Sequence, residues 1–146
     1  MPIMEINIRK LFHEVRTPVY SSDGANCFDI FTPFSGRINS FDSVVVNTGV
    51  AFDIPADYCL LLFSRSGHGF KNDVRLSNCV GVVDSDFTGP VQVKLRNDSK
   101  QVFWFEEGDR IAQGLLVLTP KIKFREVDFF DKQTERGENG FGSTGN

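Results

Sequence analysis

The sequence never stays apolar long enough to build an extended helix; brief β-branched or aromatic runs are cut off repeatedly by Gly and Pro. Ser43-Val44-Val45-Val46, Tyr58 through Phe63, Gln101 through Phe105 and Leu115 through Leu118 are such runs, too short for helices and rich in residues that fit a pleated surface. Between or beside them stand Gly24, Pro33-Phe34-Ser35-Gly36, Pro55, Gly81, Gly89-Pro90, Gly108 and Pro120. Strict alternation adds to the signal: Val91, Val93 and Leu95 point one way and Gln92, Lys94 and Arg96 the other, and Ile122-Lys123-Phe124-Arg125 repeats the pattern. Many short strands of similar spacing predict an all-β sandwich, jelly roll or barrel. Only Ser66 to Leu76 invites a helix, with Ser66 as its cap, and Gly67 and Gly69 limit it to one or two turns.

The chain of 146 residues fits one domain, expected to bury roughly two thirds of its unfolded surface. No linker or repeat divides it. The last stretch differs: residues 136–146 hold glycines at 137, 140, 142 and 145, with Phe141 as the lone apolar side chain. Such a segment cannot order itself by burial, so the organisation expected is a β domain over 1–135 followed by a flexible arm over 136–146.

A net charge of -3 argues against sequence-independent nucleic-acid binding, which needs many cations on phosphates. The start of the chain lacks the apolar run of a signal peptide or membrane helix. Cys27, Cys59 and Cys79 are odd in number and widely spaced, with no zinc pattern, and read as reduced, mostly buried thiols of a cytoplasmic protein. The fifteen Phe residues read as core and subunit-interface packing.

Four stretches carry chemistry. Ser64-Arg65-Ser66-Gly67 places a cationic fork, hydroxyls and a glycine at the end of an apolar strand; it suits phosphate oxygens, or is simply a capped turn. Gly81 through Gly89 sets Asp84 and Asp86 between two apolar strands, either as the turn of a hairpin or as a carboxylate that orders a water for attack on phosphorus. Gly108 through Gln113 is a turn and a strand bearing Arg110 and Gln113. The arm offers Arg136, Ser143 and Thr144 around Phe141, a lid that would order only over a ligand.

Together, and in this order, these segments resemble the five motifs of the trimeric dUTPase family: Ala25 through Ile30, Arg65-Ser66-Gly67, Asn78 through Gly89, Gly108 through Gln113, and Arg136 through Gly145. The resemblance implies a distorted jelly-roll β-sandwich of the dUTPase-like β-clip type, with one short helix and a flexible C-terminal arm. It implies hydrolysis of dUTP to dUMP and pyrophosphate with Mg2+, which keeps uracil out of DNA and supplies dUMP for dTMP synthesis. A homotrimer with sites between subunits is implied too, acting in the cytoplasm, or in a host cell if the gene is viral, without nucleic acid or membrane.

By the same resemblance, Asp84 positions the attacking water and meets the sugar 3'-hydroxyl, while Phe87 stands for a family Tyr that packs under the deoxyribose. Asn78 and the backbone from Val80 to Val83, Gly81 included, read the uracil edge. Arg65, Ser66, Gly67 and Gln113 hold the triphosphate; Arg136, Gly142, Ser143 and Thr144 close over it and Phe141 covers the base. Asp29 supports the magnesium through water. Cys27 and Asn139 replace family glycines, and His68 stands where the family often has Leu, reading as a surface or interface residue. A dCTP deaminase would need a catalytic Glu where Gln92-Val93-Lys94-Leu95 has Lys94; a silent β-sandwich interaction module is the other alternative.

Overall fold

The computed structural model describes residues 3–140 and residue 142. Among them are twelve strands and one short helix, and no helix long and apolar enough to cross a membrane. The strands are β1 (Ile8–Lys10), β2 (Val19–Tyr20), β3 (Phe28–Phe31), β4 (Gly36–Ile38), β5 (Ser43–Asn47), β6 (Val50–Phe52) and β7 (Tyr58–Phe63). Helix α1 (Ser66–Asn72) follows, then β8 (Val74–Leu76), β9 (Val80–Val83), β10 (Gln92–Asn97), β11 (Phe103–Phe105) and β12 (Arg110–Leu118).

An antiparallel sheet in the order β2-β3-β12-β7-β9 forms one layer, and β5-β10-β8 the core of the other, with β1-β6 and β11-β4 as two-stranded additions. Ile30, Leu60 and Ile111 from the first sheet and Val46, Leu76 and Leu95 from the second belong to one buried cluster. Each such aliphatic side chain contributes about 1.5–3 kcal/mol, so burial between the layers, not strand propensity, fixes the sandwich. The alternation read on β10 holds: Val93 and Leu95 are buried while Gln92 and Lys94 are exposed.

Four expectations are corrected. Ser66 is the first residue of α1 rather than its cap; Arg65 occupies the cap position, with no side-chain hydrogen bond. The two strands flanking Asp84 do not pair as a hairpin: β9 pairs with β7, and β10 with β5 and β8, so the segment crosses from one sheet to the other. Ile122 through Arg125 forms no strand, and Ile122 and Phe124 stand 72% and 86% exposed; alternation alone makes no ladder without a neighbouring strand to share it. The cysteines are free, but none is fully buried and Cys79 is exposed.

Candidate active site

Strands β3, β12 and β7 lie side by side, with Asp29 opposite Gln113 and Gln113 opposite Phe63. In a regular strand, Arg110 and Gln113 would face opposite sides of the sheet. A register shift between Arg110 and Ala112 inserts an extra residue in β12, so both reach the same cleft. That cleft holds ≈ 360 Å³ and is lined by Asp29, Arg65, Ser66, Arg110 and Gln113, with Cys27 at its wall.

Asp29 is the electrostatic centre. Its side chain is only 10% exposed, and its two oxygens lie 3.4 Å from Arg65 Nε and 3.6 Å from Arg110 Nε. One carboxylate between two guanidiniums leaves a surplus positive charge, a setting for phosphate oxygens. Arg65 Nη1 also donates to the Arg110 carbonyl at 3.5 Å. The Gln113 amide donates to the Ser64 carbonyl at 3.0 Å, and the Ser64 hydroxyl accepts from the Leu76 N–H at 2.8 Å. These bonds pin the turn before Arg65 and tie it to β8.

β8 leads to a second cleft of ≈ 350 Å³, where Asn78 and Gly81 meet Leu62, Ser77, Gln92 and Lys94. Cys79, between Asn78 and β9, has φ 63°, and a Cβ at Gly81 would come within 3.1 Å of Leu62 Cβ. β9 therefore presses closely on β7. It is also the edge of its sheet, so peptide groups on its outer side have no strand partner and suit the donor-acceptor edge of a base. Val83 ends β9, and Asp84 and Phe87 form the turn beyond it, closed by the Phe87 N–H donating to the Asp84 carbonyl at 3.1 Å. The Phe87 ring lies over Gly89, where a Cβ would meet it at 2.9 Å. Among the described residues, the Asp84 carboxylate has no hydrogen-bond or ion-pair partner and is exposed.

Within one chain these regions are apart. Val83 pairs with Leu60, so Asp84 lies level with about Cys59, six residues from Arg65, or about 20 Å along the strand. Arg136 and Gly142 are exposed on the arm, where Arg136 Nε donates to the Asn139 carbonyl at 2.8 Å. Phe141, Ser143 and Thr144 lie outside the described residues. Gly67 follows Ser66 in α1. The structure thus brings together Asp29, Arg65, Ser66 and Gln113, and separately Asn78 and Gly81.

Several braces went unread in the sequence. Arg110 received no role there, although its Arg-x-x-Gln spacing would have signalled the cleft had the bulge been foreseeable. Arg96 Nε and Arg75 Nε donate to Asp98 at 3.0 and 2.7 Å, holding its carboxyl below the usual carboxylate range. Arg75 Nη1 also donates to the Leu76 carbonyl at 3.2 Å, which steadies the approach to Asn78. Among the described residues, the non-glycine positions with positive φ are Phe41, Asp73 and Cys79; Cys27 and Asn139 are not among them, so the replaced glycines leave no strained backbone there.

Among the described residues, no group of three His, Cys, Asp or Glu side chains could cage a metal. Both oxygens of Asp29 are engaged by arginines, so a Mg2+ ion in this cleft would draw its ligands mainly from phosphate and water oxygens. A groove of ≈ 1170 Å³ lies beside the cleft and is mostly apolar, with Ile6, Ile8, Tyr20 and Phe52 in its walls.

A family model described as dUTPase matches residues 13–145. A deoxyuridine 5'-triphosphate nucleotidohydrolase of Helicobacter pylori (strain ATCC 700392 / 26695) is 36% identical over 97% of both chains, and that of Helicobacter hepaticus is 37% identical over 99% of this chain and 91% of its own. The dUTPase of Staphylococcus bacteriophage 80alpha, solved with dUPNHPP, superposes with a TM-score of 0.88 at 26% identity, covering 97% of this chain and 98% of that one.

Proposed function

The chain belongs to the dUTPase family, and from that premise we propose that it hydrolyses dUTP to dUMP and pyrophosphate, with Asp84 directing the water. The observation that carries the reading is the cleft in which Arg65 and Arg110 flank Asp29: a positively biased pocket with a hydroxyl and an amide at its rim, suited to phosphate oxygens.

Arg65, Ser66, Gly67 and Gln113 hold the triphosphate, and Arg136, Gly142, Ser143 and Thr144 close over its far end. Asn78 and the free edge of β9, at Gly81 and Val83, read uracil, Phe141 covers the base, and Phe87 packs under the sugar. The exposed, unpartnered Asp84 carboxylate accepts a proton from the water that attacks the α-phosphorus in line, and pyrophosphate leaves. Mg2+, carried by the phosphates and steadied by Asp29 through water, would offset the charge that builds on the leaving group.

The separation of Asp84 from Arg65 within one chain supports a site assembled from neighbouring copies, as a homotrimer provides. The segment between β12 and the arm supports it as well: Ile122, Phe124, Phe129 and Phe130 are each more than 70% exposed, and an apolar groove lies open beside the cleft. That segment seated on a neighbour would cover its own aromatics, and the arm that follows it would deliver Arg136 to the cleft. The reading places the enzyme in the cytoplasm or a host cell's interior, with no nucleic-acid or membrane partner. Lys94 stands exposed where a deaminase needs Glu, which disfavours that alternative.

Pyrophosphate release from dUTP, dCTP, dTTP and UTP, with and without Mg2+, tests the reading. Turnover confined to dUTP and dependent on the ion is expected; ammonia from dCTP, or no turnover of any nucleotide, would overturn it.

A further inference from the structure

Helix α1 carries Ser66 and Gly67 beside Arg65, yet little holds it in place. It has seven residues, none fully buried, and no side-chain cap. Gly67 and Gly69 each weaken it by about 1 kcal/mol relative to Ala, and neither is demanded by crowding, since a Cβ at either would meet nothing within 4 Å. Phe70 extends into solvent at 93% exposure. The one aromatic contact of the helix is His68, whose ring stands edge-on to Phe103 of β11, with centroids 5.1 Å apart and planes at 68°. His68 Nδ1 is buried and has no hydrogen-bond partner.

We propose that His68 is a positioning residue for the phosphate grip: its neutral ring, seated on Phe103, anchors α1 and with it Ser66 and Arg65, and a proton on the ring releases that anchor. The inference rests on the reading above only in that Arg65 and Ser66 hold phosphates.

The electrostatics agree with the geometry. Burial pushes the His68 pKa below its usual 6.5, the Arg65 guanidinium pushes it down further, and Asp109, in the turn before β12, opposes both. Arg75 on β8, the strand α1 packs against, is committed to Asp98; Lys71, on the helix itself, adds a like charge. An unfolded or undocked ring therefore binds a proton more readily than the seated one. The anchoring is complete above about pH 6.5 and is lost progressively as pH falls from there toward the lowered value.

The test is steady-state kinetics on dUTP from about pH 8 to about pH 5.5. At the alkaline end, His68→Ala and Phe103→Ala should each raise KM about tenfold with kcat within about twofold, the mark of lost ground-state binding. His68→Phe, which keeps a ring but no proton, should recover most of that loss. Gly69→Ala added to His68→Ala should recover part of it by stiffening the helix. Toward acid, the KM of the unmodified protein should rise severalfold more than that of His68→Phe. The terminal phosphate of dUTP titrates alike for both and cancels.

An unchanged KM in His68→Ala, or an acid rise in His68→Phe equal to that of the unmodified protein, would overturn the proposal. Titration calorimetry with inorganic tripolyphosphate, run on the same variants, separates the two claims. A protein that turns over no dUTP but binds tripolyphosphate with this His68 dependence loses the enzymatic reading and keeps the anchor.

Discussion

Asp29 and Asp84 are the same side chain in opposite settings. Asp29 is drawn into a sheet between two arginines, and its charge is spent on aiming them. Asp84 hangs from a turn with no partner among the described residues, free to take a proton. A carboxylate locked by cations shapes a cleft; one left in water keeps its lone pairs available, which is what the proposed role of Asp84 asks. The locked one is assembled from neighbouring stretches of one sheet, whereas the free one comes from a short continuous segment about 20 Å from them within one chain.

The strongest attempt to break that contrast is Asp84→Asn. It should cost about a thousandfold in kcat, the scale of a lost general base, with the melting temperature unchanged; retained turnover would remove Asp84 from the chemistry. Arg65→Ala should also be inactive. Co-refolding equal amounts of these two dead chains should restore about a quarter of the activity, because a random mixture places an intact Arg65 beside a neighbour's intact Asp84 that often. No recovery would mean that one chain supplies both.

Next in size, ending the chain after Glu135 should lower kcat/KM about a hundredfold by removing the closing groups. The urea midpoint should stay in place, since residues 136–139 bond only to one another and to Thr134. A smaller effect separates the settings by stability. Gly114→Ala drives a methyl within 2.6 Å of the Phe28 ring, next to the Asp29–Gln113 pair, and should cost about 1–3 kcal/mol in urea unfolding. At the turn by β9, Cys79→Gly relieves a residue at φ 63° and should shift stability by less than about 1 kcal/mol, toward greater stability.

The sandwich was legible because β5, β7 and β12 carry brief apolar runs bounded by turn residues, and because β10 alternates between buried and exposed side chains. The segments that line the two clefts were legible as candidates because turn glycines flank charged and polar side chains. What stayed hidden was relational. No local pattern reveals that β9 and β10 leave for different sheets, because pairing is decided by the strand across the gap. The bulge in β12 that turns Arg110 toward Asp29, and the Arg75–Asp98–Arg96 brace, likewise join residues that only the fold makes neighbours. The Ile122–Arg125 alternation was misread as a strand, because alternation says nothing of whether a neighbouring strand is there to pair with it.

The uncovered aromatic segment after β12 also bears on how a single copy behaves. With Phe124, Phe129 and Phe130 open to water, a copy alone is adhesive toward any apolar surface. If the proposed assembly is what covers these rings, complete sites would form more steeply than in proportion to chain concentration when chains are scarce.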